Sequence, residues 1–146
     1  MRKTLRISLL LAAVALAINL FFGTSSAMAE EASEGGTVTA YYFHGTFRCP
    51  TCHKLEQYAK EAIEANFKDV LTSGKLAFKV VNVEGKGNEH FVNDYQLYTK
   101  TLILSRVKDG KEIRSRNLDK IWEYVGNKDR YENYVRNEVA AFLKEN

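Results

Sequence analysis

The stretch YYFHGTFRCPTCHKLE, Tyr41 to Glu56, decides how the chain is read. It begins inside a β-branched and aromatic run, TVTAYYF from Thr37 to Phe43, which predicts a strand. Gly45 supplies turn chemistry, and Cys49-Pro50-Thr51-Cys52 follows. From Thr51 to about Leu71 the pattern becomes helical: Leu55, Tyr58, Ala59, Ala62 and Ile63 recur at spacings of mostly three and four. Pro50 suits the first turn of that helix, where its missing N–H costs nothing. Ser73-Gly74 marks the end. The only two cysteines of the chain therefore lie between a strand and a helix N-terminus.

Downstream, KLAFKVVNV from Lys75 to Val83 predicts a second strand. Gly85 to Glu89 reads as a loop and His90 to Tyr98 as a short helix. TLILSRV, Thr101 to Val107, predicts a third strand, and the Asp109-Gly110 pair predicts a tight hairpin that returns Glu112 to Arg116 antiparallel. The tail from Leu118 to Asn146 carries an apolar helical stripe, interrupted at Gly126-Asn127. The order β-α-β-α-β-β-α implies an α/β fold: a mixed sheet with helices on both faces.

Upstream the composition changes. Arg2, Lys3 and Arg6 precede a nearly unbroken apolar run, Ile7 to Phe22, and no acid occurs before Glu30. Ala27-Met28-Ala29 ends the segment as a small-x-small cleavage site, so residues 1–29 read as a secretory signal peptide. EEASEGG, residues 30–36, reads as a flexible leader. The domain, residues 37–146, is then expected outside the cytoplasm, periplasmic or extracellular, and tied to a membrane only if the signal segment is retained. The chain carries 21 basic and 18 acidic residues. The signal accounts for the excess, so no basic balance argues for nucleic acid. Gly85-Lys86-Gly87 lacks the spacing of a phosphate loop. No serine–histidine–acid set can be assigned.

Three chemistries compete for the cysteine pair. In the first, it is a redox dithiol. Unpaired N–H groups and the helix dipole favour a thiolate on Cys49, and Arg48 adds a neighbouring cation. Cys52, one turn on, is in reach to attack a mixed disulfide on Cys49. In the second, Cys49-Pro50-Thr51-Cys52-His53 is a haem c attachment motif, both sulfurs bonding the haem and His53 serving as axial ligand. Both methionines, Met1 and Met28, fall in the signal, so His44, His90 or nothing would be the sixth ligand. The β-pattern before the motif and the strand–helix alternation after it argue against this reading. In the third, Cys49, Cys52 and His53 bind a soft metal such as Cu(I) or zinc, with an incomplete ligand set. A purely structural bridge is the plain alternative, but so short a loop restrains the unfolded chain little.

With these residues in view, YYFHGTFRCPTCHKLE resembles the active-site segment of the thioredoxin superfamily. KLAFKVVNVEG is similar to that family's next strand, which ends near an acid, and TLILSRVKDGKEI is similar to its hairpin. The resemblance spans Thr37 to about Leu143. It implies a three-layer sandwich and thiol–disulfide exchange, with Cys49 as nucleophile and Cys52 as resolving thiol. It further implies a redox disulfide with no other cofactor, acting on a protein thiol or disulfide or on a membrane thiol-redox partner. The sequence departs from the family at three points. Pro50 is the only proline, so Lys100 or Thr101 stands where the family has a cis-proline, forming the wall opposite the dithiol. Counting back from Cys49 puts Phe43 at the family's buried acid, with His44 as a substitute proton carrier. Arg48 replaces an aromatic. His53 reads as an exposed helix residue that would favour a thiolate if protonated, and His90 as a surface histidine. Tyr95 and Tyr98 read as packing on the short helix, and Trp122, Tyr124, Tyr131 and Tyr134 as burial of the tail against the sheet.

Overall fold

The computed structural model of the chain describes residues 35–145. The segment read as a signal peptide, 1–29, lies outside the described residues, as does the leader as far as 34.

Four strands form one sheet in the order β2-β1-β3-β4. They are β1 (Thr37–His44), β2 (Leu76–Asn82), β3 (Thr101–Lys108) and β4 (Lys111–Asn117). β1 runs parallel to β2, with Val38 opposite Leu76 and His44 opposite Asn82. It runs antiparallel to β3, with Phe43 opposite Thr101. The β3–β4 hairpin turns on Asp109 and Gly110, at φ 53° and 73°. Successive left-handed residues are what a two-residue turn needs to match strand twist, which is why Asp-Gly marks it.

Side-chain alternation along β1 builds the layers. Val38, Ala40 and Tyr42 face the main core with Leu102 and Leu104 of β3. Two long helices cover that face. α1 (Pro50–Asn66) buries Leu55, Ala59, Ala62 and Ile63. α5 (Lys128–Lys144), capped by the Asn127 side chain, buries Tyr131, Val135, Val139 and Phe142. Tyr41 and Phe43 point the other way and pack on Phe91 and Tyr95, with ring centroids 5.1–6.4 Å apart. Phe91 belongs to the short helix α3 (His90–Asp94). The result is the mixed, three-layer, thioredoxin-like architecture that the resemblance implied, with one outer layer reduced to a single short helix.

Two boundaries differ from the sequence reading. The first helix does not run unbroken to Leu71. It stops at Asn66, Phe67 leaves helical geometry at φ −129° and ψ 30°, and a short α2 (Lys68–Thr72) follows. The break turns the Phe67 ring into the core, where it is buried, so burial outweighs helical continuity. The helix expected over His90–Tyr98 ends at Asp94, because Gln96 adopts φ 50°, and Tyr98 stands in solvent rather than packed. In the tail, α4 (Ile121–Tyr124) is a single turn; Tyr131 is fully buried while Trp122 remains partly exposed.

Among the described residues Arg106 is the one buried arginine. Its Nη1 donates to the Gly35 carbonyl and its Nη2 to the Phe142 carbonyl, in the last turn of α5. The guanidinium thus ties the start of β1 and the end of α5 to the middle of the sheet. Among the described residues no helix is long and apolar enough to cross a membrane.

Candidate active site

Cys49 and Cys52 form a disulfide, with Cα atoms 5.0 Å apart. Cys49 is the N-cap of α1, and its Sγ accepts a hydrogen bond from the Cys52 backbone N–H at 3.2 Å. Pro50 occupies the first helical turn, a position that has no intrahelical use for an N–H. The two sulfurs differ in access. Cys52 is 1% exposed and faces the core, whereas Cys49 is half-buried at the end of the loop. Of the two sulfur-bearing side chains, Cys49 is the accessible one.

The helix is anchored beneath the pair. The Tyr42 hydroxyl donates to the Cys52 carbonyl at 2.8 Å, and the Tyr131 hydroxyl to the Leu55 carbonyl at 2.7 Å. Burial pushes both phenols well above the ordinary tyrosine range. Here the structure corrects the count that put Phe43 under the dithiol. Phe43 lies on the opposite face of the sheet, among Phe91 and Tyr95, and the side chain below Cys52 is Tyr42. The alternation of Val38, Ala40 and Tyr42 in the core carried that signal.

Arg48 sits beside Cys49 in sequence, but its Nη2 is engaged by the Glu56 carboxylate two turns along α1. His53 follows Cys52 on the exposed side of the helix, and its backbone N–H donates to the Cys49 carbonyl at 3.2 Å. His44 ends β1 with its Nδ1 2.8 Å from the Gly45 carbonyl. Lys100 directly precedes β3, Thr101 opens it opposite Phe43, and no cis peptide bond occurs among the described residues. The Lys100 carbonyl is taken by the Trp122 indole N–H at 2.8 Å. His90 pairs with Asp94 on the surface, away from these groups.

A cleft of about 180 Å³ opens between the ends of β1 and β2 and the segment before β3. Its lining includes His44, Gly45, Glu84, Tyr98 and Lys100. Glu84, which the sequence reading noted only as a family feature, straps this cleft to the cysteine loop. Its Oε2 accepts from the Thr46 backbone N–H at 2.9 Å, and Thr46 holds its carboxyl below the usual range. A Cβ at Gly45 would come within 2.7 Å of Glu84 Oε1, so glycine leaves room for the strap. Tyr98 of this lining is 94% exposed, and Phe47, two residues before Cys49, is 79% exposed.

The sulfurs that a haem or soft-metal reading requires are bonded to each other here. Among the described residues no group of three or more His, Cys, Asp or Glu side chains is placed to hold a metal ion.

No family model matches the chain, and no curated protein does. Among solved structures it is similar to a malarial protein, at 17% identity and a TM-score of 0.38, over 56% of this chain and 81% of that one. It is also similar to a thioredoxin from Fasciola hepatica, at 23% identity and a TM-score of 0.36, over 62% of this chain and 80% of that one. By its own strand order and layers, the chain carries a thioredoxin-like fold with its single disulfide at the head of α1.

Proposed function

We propose that the protein is an exported thiol–disulfide oxidoreductase in which Cys49 exchanges with the substrate and Cys52 resolves. The observation that carries this reading is the unequal access of the two bonded sulfurs at a helix N-terminus. In the reducing direction, the Cys49 thiolate attacks one sulfur of a substrate disulfide, and the other leaves as a thiolate. The Cys52 thiolate then attacks Cys49 Sγ, closing the Cys49–Cys52 bond and releasing the second substrate thiolate. Two electrons pass from the dithiol to the substrate, and two protons follow to the released thiols. The reverse sequence oxidises a substrate dithiol.

The helix N-terminus favours the Cys49 thiolate through its unpaired N–H groups and dipole. The cleft with Lys100 and exposed Tyr98, and exposed Phe47 two residues before Cys49, support a polypeptide partner, because large exposed aromatics are anchors for protein contact. A soluble protein thiol or a membrane-bound redox protein would both meet that description. Export rests on the N-terminal segment, and the disulfide fits an oxidising compartment.

Trapping tests the reading. The Cys52→Ser variant of the full chain should accumulate a mixed disulfide with a cysteine peptide supplied as its glutathione disulfide, bonded through Cys49. The Cys49→Ser variant should accumulate little. Equal trapping by the two variants, or none by either, would contradict the assignment.

A further inference from the structure

Among the polar contacts around the cysteines, one is placed to control the sulfur chemistry without touching substrate. Cys49, Cys52 and Glu56 fall at i, i+3 and i+7, which is one ridge of a helix. Arg48 reaches back along that ridge and closes its ion pair with Glu56. The guanidinium and carboxylate side chains are 21% and 24% exposed, so water screens them less than an open surface pair. Arg48 also keeps a buried Nε–H with no acceptor. In the disulfide neither sulfur is charged, and Glu56 is the anion that holds the cation. Reduction creates a second anionic acceptor, the Cys49 thiolate, on the adjacent residue.

We propose that Glu56 is a positioning residue that sets the reactivity of Cys49 by holding the Arg48 guanidinium back from its thiolate. This rests on the oxidoreductase reading and extends it to what tunes the dithiol. While the pair is closed, cation and carboxylate largely cancel at Cys49 Sγ. Removing the Glu56 charge frees Arg48 for the thiolate, with the orphaned Nε–H as a donor. The thiolate is then stabilised, the thiol becomes more acidic, and the dithiol gains on the disulfide. Arg48 directly precedes Cys49 and Glu56 lies one turn beyond Cys52, so the pair flanks the cysteine turn. The other titratable groups next to the cysteine turn are Tyr42 of β1 and His53 of α1, with Glu84 bonded to the preceding loop at Thr46 and facing His44 and Lys100 across the cleft. All five are common to the variants below.

The test uses the reduced full chain in four forms: parent, Glu56→Gln, Arg48→Met and the double variant. Two quantities are read: the pH dependence of Cys49 alkylation by iodoacetamide, and the equilibrium of the dithiol with glutathione. Glu56→Gln should move the alkylation curve to lower pH. It should also shift the glutathione equilibrium at least about two- to fivefold toward dithiol, the range measured for open surface charge pairs. Arg48→Met should move both the other way. In the Arg48→Met background, Glu56→Gln should have a clearly smaller effect, since no cation remains to release. An equal effect in both backgrounds would overturn the proposal, because Glu56 would then act by its own charge alone. If the parent exchanges with glutathione and Glu56→Gln behaves identically, the positioning role fails while the oxidoreductase reading stands. A folded parent that does not exchange at all would overturn both.

Discussion

The hydroxyl of Tyr42 donates to the backbone carbonyl of Cys52 across 2.8 Å. This bond joins the central strand to the first turn of α1, directly under the buried sulfur. It fixes the height of the cysteine turn above the sheet, and with it the difference in access between Cys49 and Cys52. A buried hydroxyl is retained in a core when it has a partner of this kind.

Tyr42→Phe keeps the ring and removes the bond. The oxidised variant should unfold in urea with a stability lower by about 1–2 kcal/mol, the cost of leaving a buried acceptor short of a donor. Its Cys52 should also alkylate faster after reduction than in the parent, as the turn loosens. An unchanged urea midpoint together with an unchanged Cys52 rate would remove Tyr42 from the support of the site.

The tyrosines make a prediction about alkaline pH. Burial pushes Tyr95 and Tyr134 up to about 12, with Glu112 adding to the first and Glu138 to the second. Burial raises Tyr42 and Tyr131 further. In the unfolded chain a tyrosine ionises near pH ~10. The folded state therefore keeps protons that the unfolded state releases, and stability should be level below about pH 10 and fall as pH rises through the folded values. The Tm of the oxidised protein, followed between pH 8 and 11.5 with tyrosinate absorbance, checks this. A Tm that holds level above pH 10 would contradict it.

Much of the fold is legible because burial and alternation coincide. β1 sits between two strands and puts Val38, Ala40 and Tyr42 on one face. β3 is buried along most of its length, and Asp109-Gly110 declares its own turn. The misread boundaries lack such signals. No proline or glycine marks the break at Phe67, which follows from where its ring is buried. The left-handed residue ending α3 is Gln96, a type that gives no local warning. The cysteine pair was plain in the sequence, but its surroundings were not. Glu84 meets Thr46, 38 positions away, and Trp122 meets Lys100, 22 away, contacts that only the tertiary fold creates. Glu56 was missed as well, although its place seven residues beyond Cys49 puts it on the cysteine ridge.

Arg106 should prove costly to replace. Lys has the charge but lacks the planar fork that serves the Gly35 and Phe142 carbonyls together. Arg106→Lys should lower stability by about 1–3 kcal/mol and raise amide hydrogen exchange in the last turn of α5. Exchange there equal to the parent's, with no loss of stability, would show that the two ends of the domain are held by packing alone.

The most direct test of the central claim is the redox equilibrium of the full chain in glutathione buffers, quenched by alkylation and read by intact mass. The account predicts a reversible two-electron transition between the Cys49–Cys52 disulfide and a form carrying two alkyl groups, with Cys49 alkylated first when the reaction is stopped early. A disulfide that opens only once the chain is denatured, or a haem-sized mass bound through Cys49 and Cys52, would contradict it.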